Sequence, residues 1–183
     1  FAVEASNPFL RGVSVADTRG QGVRFRKGGQ GRLENVTFER TGKSAVQVDE
    51  RSRPLLNGVS IRESRDGGVT VGAQGEADLR DCDISDCASD GIAVQNGGKV
   101  SALRTRVYNS RRNGVLIAAG AQAVLRRCEI FGNAGDGVLV HSTEDVLVEE
   151  CAVRDNSRAG LRQTAPSERV RTEELLSSGN GAP

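Results

Sequence analysis

The sequence has no tryptophan, no methionine, one tyrosine, one histidine and five phenylalanines among 183 residues. A core of that size without large aromatics must be filled by small branched aliphatics, which implies a narrow, repetitive interior. No apolar run approaches the 18 or so residues a membrane-spanning helix needs, so no membrane partner is expected. Charge of one sign is also missing. The chain carries 25 basic and 24 acidic side chains, a net of +1. That balance argues against the clustered positive field that nucleic acid binding requires. Four cysteines without C-x-x-C spacing and a lone histidine do not make a usual zinc set. Neither a metal nor a cofactor is therefore expected. The opening Phe1-Ala2-Val3-Glu4 lacks an initiator methionine and the basic-then-apolar pattern of a signal peptide. It reads as a cut from a larger, multidomain protein, with residues 1–183 forming one repeat domain.

What is abundant is glycine, 23 residues of it, and a period. Gly22-Val23, Ala45-Val46, Gly68-Val69, Gly91-Ile92, Gly114-Val115, Gly137-Val138 and Gly160-Leu161 follow one another at intervals of 23 residues. Leu10, Leu33, Leu56, Leu79, Ala102, Leu125 and Val148 keep the same spacing. So do the columns running through Val13, Val36, Cys82 and Cys151, and through Val15, Phe38, Ile84 and Val153. The unit is L-x-x-V-x-I-x-x-(S/T/N)-x-x-x-G-V-x-V followed by about six polar or small residues. Its apolar positions alternate by two and favour branched side chains, the signature of strands. Two strands per unit, closed by glycine and polar residues, describe one turn of a coil. Stacking such turns buries a ribbon that no single turn buries alone. A leucine-rich repeat would need a further leucine and then a helix. The corresponding column, Gly20, Lys43, Asp66, Ser89, Arg112, Gly135 and Arg158, is polar or glycine throughout, and a strand follows it.

Phrases such as Asn113-Gly114-Val115-Leu116-Ile117 and Cys128-Glu129-Ile130-Phe131-Gly132-Asn133 resemble the parallel β-helix repeats of the pectate-lyase-like superfamily. The likeness is greatest to the short coils of NosD-like and carbohydrate-binding/sugar-hydrolase domains. The resemblance implies an all-β, single-stranded, right-handed parallel β-helix; the period alone leaves the hand open. It is specific for fold and poor for function, because that superfamily holds lyases, epimerases, adhesins and interaction modules. Dividing 183 by 23 gives about eight coils, a rod on the order of 35–40 Å long. The terminal segment Ser178-Gly179-Asn180-Gly181-Ala182-Pro183 stops just before the next Gly-Val is due. Flanking sequence, a cap or a partner is expected to cover the strand edges.

Several columns carry polar residues where structure alone accounts for them. Thr18, Thr41, Ser64, Cys87, Ser110, Asn133 and Asn156 fall at a bend, where stacked hydroxyls and amides can bond from rung to rung. Asp90, Asn113 and Asp136 precede the repeated glycine and are read as turn chemistry, the glycine supplying dihedrals that other residues avoid. Cys82, Cys128 and Cys151 occupy an inward column. Adjacent rungs hold Cβ atoms about 4.8 Å apart, beyond disulfide reach, so reduced buried thiols are expected. Those thiols and the missing signal peptide favour a reducing, cytoplasmic setting. The Arg-, Gly- and Ala-rich composition suggests a bacterial source.

The candidate chemistry lies in the acidic run Asp78, Asp81, Asp83, Asp86 and Asp90. Asp81 and Asp83 are expected to alternate outward on one strand with carboxylates about 7 Å apart. The next rung sets Arg104 beside Asp81 and Arg106 beside Asp83. The resemblance implies that such a group could hold Ca²⁺ while an arginine takes the proton alpha to a uronate carboxylate. The plainer reading is a ladder of cross-rung ion pairs, continued by Glu129 next to Arg106 and Glu150 next to Arg127. His141 and Tyr108 fall on different faces and do not share a site. Leu116, Leu139 and Ala93 share an outward column, with Ala118 two residues along from Leu116. Tyr108 and Phe131 stack in another, between Ser85 and Arg154. Aligned apolar residues on consecutive rungs mark interfaces, and Tyr108 over Phe131 is also a possible platform for a sugar ring. Arg19, Arg65 and Arg111 stand on alternate rungs of one bend, about 10 Å apart, a spacing that suits an anionic polymer; the neutral overall charge weighs against one.

The expected function is a non-catalytic module that binds other domains of its own chain, a protein partner or a glycan. The reason is that insertions of the kind that build catalytic clefts would disturb the 23-residue spacing, and none is visible. The alternatives are a polysaccharide lyase or epimerase acting through Asp81, Asp83 and Arg104 or Arg106, and a structural stalk or spike segment.

Overall fold

In every repeat the inward leucine, the corner residue and the next inward aliphatic cannot lie on one straight strand. A bend separates them, and each turn has three short strands where the sequence suggests two. The structure, a computed structural model, describes residues 1–95 and 97–181. Ala182 and Pro183, the end of the terminal segment named above, lie outside the described residues. Among the described residues, twenty-four strands form three eight-stranded parallel sheets. Sheet 1 contains the Gly-Val-x-Val strands, such as Ile92–Val94 and Val115–Ile117. Sheet 2 contains strands such as Glu76–Arg80 and Lys99–Leu103, and sheet 3 those such as Asp83–Ser85 and Arg106–Tyr108.

The register places equivalent residues directly over one another: Val69 on Ile92, Leu79 on Ala102, Ile84 on Val107. These rungs fill a continuous dry centre. Leu33, Leu56, Leu79, Ile84, Ile117 and Ile130 are all at most 1% exposed, each adding roughly 1.5–3 kcal/mol by leaving water. Phe25 and Phe38 are the largest side chains in this column of aliphatics. The 23-residue step is not perfect at the ends. Ala2 pairs with Arg24, 22 residues on, and Val146 pairs with Val170, 24 on. One residue is thus added within residues 164–169, a segment without buried residues.

The bend between sheets 2 and 3 overturns the expectation of one continuous strand. Its outer residue takes a left-handed conformation in coil after coil: Asp81 at φ 52°, Arg104 at 47°, Arg127 at 52° and Glu150 at 50°. The bend between sheets 3 and 1 begins the same way, with Asp86 at φ 54° and Asn109 at 55°. The glycine that precedes sheet 1 has a different reason from the one expected. Gly91 and Gly114 do not adopt positive φ. A Cβ at Gly114 would stand 2.7 Å from the Gly137 carbonyl oxygen and would run into the Ile130 side chain. Glycine is there for space, because the chain crosses close over the aliphatic centre.

The polar column at this 3–1 corner is largely buried and, apart from the Ser110 hydroxyl, which has no partner, bonds from rung to rung. The Asn133 amide donates to Asn156 Oδ1 at 2.9 Å, and Asn156 donates in turn to Asn180 Oδ1 at 2.9 Å. Thr41 donates to Ser64 Oγ at 3.0 Å. All four cysteines are free and buried. Cys82, Cys128 and Cys151 line the inside of the 2–3 corner, where the Cys128 backbone N–H points at Cys151 Sγ across 3.4 Å.

Candidate functional site

The five aspartates that crowd together in sequence are wound apart by the coil. Asp78 lies on sheet 2, where Arg80 donates to it at 2.7 Å. Asp81 sits on the 2–3 corner, Asp83 on sheet 3, Asp86 on the 3–1 corner, and Asp90 inside that corner at 3% exposure. Asp81 and Asp83 therefore do not share a strand face.

Each of the two is held by the arginine of the next rung. Arg104 grips Asp81 with two hydrogen bonds, 2.7 and 2.9 Å. The hydrogen bonds from that guanidinium hold the Asp81 carboxyl below its ordinary range, against the opposing effect of desolvation. Arg106 donates to Asp83 Oδ2 at 3.2 Å and the Tyr108 hydroxyl donates to Oδ1 at 3.0 Å. The ladder continues with Arg127 on Glu150 at 2.7 Å, which lowers the Glu150 pKa in the same way. Glu129 pairs with Arg154 at 3.8 Å, not with Arg106, because Arg106 is already turned to Asp83. Among the described residues, no three His, Cys, Asp or Glu side chains converge on a point where a metal would sit.

Tyr108 and Phe131 stack with centroids 4.8 Å apart and ring planes within 1° of parallel. That is the rung spacing, so the faces look along the rod and the ring edges look outward. Arg154 lies over Phe131 at 4.3 Å, and Arg106 stands 5.2 Å from Tyr108 and 5.6 Å from Phe131. The pair forms a surface seam capped by guanidinium groups. His141 stands on the sheet 1 side, its Nδ1 2.8 Å from the Thr164 hydroxyl, separate from Tyr108 on sheet 3 as the spacing predicts.

The outward column of sheet 1 runs Ala93, Leu116, Leu139, Arg162 in register. Ala93, Leu116 and Ala118 are partly exposed, whereas Leu139 is only 7% exposed. Leu139 forms one side of a notch of about 250 Å³ with Arg111, Arg112, Asn113, Ala134, Gly135, Arg158 and Arg162. Sequence reasoning singled out Leu139 and Arg111 but missed Arg112, Arg158 and Arg162. The signal was present: the small pair Ala134-Gly135 interrupts a column whose neighbouring rungs hold arginines. Further along the same corner, Arg65 and Arg111 face Glu63 and Asp86 across a shallower furrow of about 590 Å³. Arg19, Arg65 and Gly42 line the next one.

The family described as right handed beta helix region matches residues 21–174. No curated protein sequence matches the chain significantly. Among solved structures, the A-module of the mannuronan C-5 epimerase AlgE6 of Azotobacter vinelandii superposes with a TM-score of 0.67 at 12% identity, over 94% of this chain and 58% of that one. The periplasmic alginate epimerase AlgG gives 0.55 at 8% identity, over 95% and 50%. PfbA, a surface adhesin of Streptococcus pneumoniae, gives 0.54 at 9% identity, over 100% and 62%. The chain spans less than two thirds of each of these structures. At such identities the likeness establishes the fold alone.

Proposed function

Because the chain belongs to the right-handed β-helix family, a scaffold that serves epimerases and an adhesin alike, we propose that it is a non-catalytic binding module whose outer faces recognise a protein partner. The supporting observation is the state of its charged groups. The carboxylates that a uronan-modifying enzyme would need, Asp81 and Asp83, are each engaged by an arginine of the neighbouring rung. A substrate or Ca²⁺ would have to displace those guanidinium groups, and with them the Tyr108 hydrogen bond to Asp83. Arg111, Arg112 and Arg158, by contrast, carry no ion pair among the described residues. Donors left open suit a binding surface more than a proton-transfer site, which needs a free base within hydrogen-bond reach.

The test is incubation with polymannuronate and polygalacturonate, with and without Ca²⁺, followed by absorbance of unsaturated ends and by proton NMR of the C5 configuration. The expected outcome is no turnover. Cleavage or epimerisation that disappears in Asp83→Ala would establish the enzymatic alternative in its place.

A further inference from the structure

The notch beside Leu139 shares its arginine–small residue–arginine build with the furrows at Arg65–Ala88–Arg111 and Arg19–Gly42–Arg65, but carboxylates line those two and none lines this one. One rung supplies Ala134 and Gly135, which leave a gap; the rung below contributes Arg111 and Arg112, and the rung above Arg158 and Arg162. The walls are therefore two rungs apart, roughly 10 Å. Arg162 is pinned: its Nε and Nη2 donate to Asp136 Oδ2 at 2.9 and 2.5 Å, and Asp136 is wholly buried. Arg111, Arg112 and Arg158 are exposed and make no ion pair among the described residues.

The side-chain acceptor that lines the notch, Asn113 Oδ1, is already engaged, and the carboxylates behind it are turned mainly to N–H groups of their own corner. Asp90 Oδ1 receives the Asn113 backbone N–H at 2.9 Å and its amide at 2.8 Å. Asn113 Oδ1 receives the Asp136 N–H at 2.9 Å, and Asp136 Oδ1 receives the Ala159 N–H at 3.1 Å. What the notch offers is guanidinium donors and aliphatic surface, Leu139 and Ala134, continuous with Leu116 on the rung below. A sugar ring brings hydroxyl donors that would find no side-chain acceptor here. The Glu63–Asp86 furrow would accept them; this notch does not. A carboxylate beside an aliphatic group satisfies both halves, since arginine binds carboxylates bidentately.

We propose that this notch docks an acidic peptide segment of a partner protein, in which an Asp or Glu lies next to a branched aliphatic side chain. The carboxylate bridges Arg112 and Arg158, and the aliphatic group packs on Leu139. The proposal rests on the binding-module reading above.

The experiment is selection of displayed random peptides on the immobilised 183-residue chain, with an Arg112→Glu/Arg158→Glu variant as the counter-target. Circular dichroism confirms that the variant is folded, as the exposure of both arginines leads one to expect. Enriched peptides should share an acidic residue adjoining Leu, Ile or Val. Fluorescein-labelled versions should bind the variant at least about tenfold more weakly, and the wild type more weakly as salt rises. Leu139→Ala should relax the aliphatic requirement while keeping the acidic one. Peptides that bind wild type and variant equally would overturn the notch but leave a binding module with another face. Labelled oligogalacturonate or oligothymidylate binding in place of peptides, and lost in the variant, would overturn it in favour of a polyanion. Uronan turnover abolished by Asp83→Ala would remove the underlying reading itself.

Discussion

Two corners of the coil start from the same backbone and end in opposite electrostatic states. The 2–3 corner and the 3–1 corner both turn through a left-handed residue, and both cover a dry interior. On the 2–3 corner every second charge answers the one before: Arg104 on Asp81, Glu150 on Arg127. Beside the notch, the charge of the 3–1 corner is split between inside and outside. Asp90 and Asp136 are buried among backbone N–H groups and the Asn113 amide, while Arg111, Arg112 and Arg158 stand outside. Stacking at 4.8 Å makes any column either self-neutralising or self-repelling. The first arrangement closes a surface, and the second leaves it seeking a partner of opposite charge.

The largest effect should come from filling the close crossing at the 3–1 corner. Gly114→Val places side-chain atoms against Ile130 and the Gly137 carbonyl, and overpacking of this kind costs about 3 kcal/mol. Chemical denaturation should show the midpoint falling with an unchanged slope. If Gly114→Val is tolerated, the spatial reason for this glycine column is wrong.

A smaller loss should follow Asp136→Ala. It removes the acceptor for Ala159 N–H and for Arg162, worth about 2 kcal/mol for hydrogen bonds to a charged group. It also frees Arg162, so the notch should bind acidic peptides differently from wild type, which a surface-neutral effect would not produce. Peptide affinity measured alongside thermal unfolding separates the two consequences.

How much of this was legible in the sequence follows from which forces act in register. Leu79, Cys82 and Ile84 could be assigned to the interior because burial repeats with the period, and all three are at most 3% exposed. The third strand was not legible. Asp81, Arg104, Arg127 and Glu150 have no left-handed preference in common; stacking against equivalent backbone imposes the conformation on whatever residue occupies the column. The ion pairs Asp81–Arg104 and Asp83–Arg106 were read correctly, because 23-residue neighbours are spatial neighbours. The notch was read only in part: Arg112, Gly135 and Arg158 share one visible column, but Arg111, Leu139 and Arg162 come from other columns and meet it only where the 3–1 corner folds back over sheet 1.

The interiors of the two corners should behave alike. Cys82 lies inside the 2–3 corner and Cys87 inside the 3–1 corner, and burial pushes their pKa values from 9.0 up to about 11 and about 12. A raised pKa stabilises the fold below the unfolded value, and that contribution is lost as pH climbs through the folded one. The window is thus about pH 9 to 12. Thiol reagents at pH 8 should leave both cysteines unmodified in the folded chain and label them on unfolding. Rapid labelling of Cys87 alone would mean that the 3–1 corner opens in solution.

The smallest effect belongs to the closed corner's exterior. Arg104 lowers the Asp81 pKa, so any stability the pair provides is present above the unfolded carboxylate's pKa and fades as pH falls through the folded one. Both side chains are about half exposed, and solvent screening leaves little of that interaction in the folding free energy. Arg104→Ala should therefore leave the unfolding midpoint at neutral pH almost unchanged. Carboxyl NMR titration should still detect it, the Asp81 midpoint rising to an ordinary value in the variant. A neutral-pH destabilisation comparable to that of Asp136→Ala would show that the ladder holds the corner in place, and the contrast between a closed exterior and an open one would have to be redrawn as a contrast in rigidity.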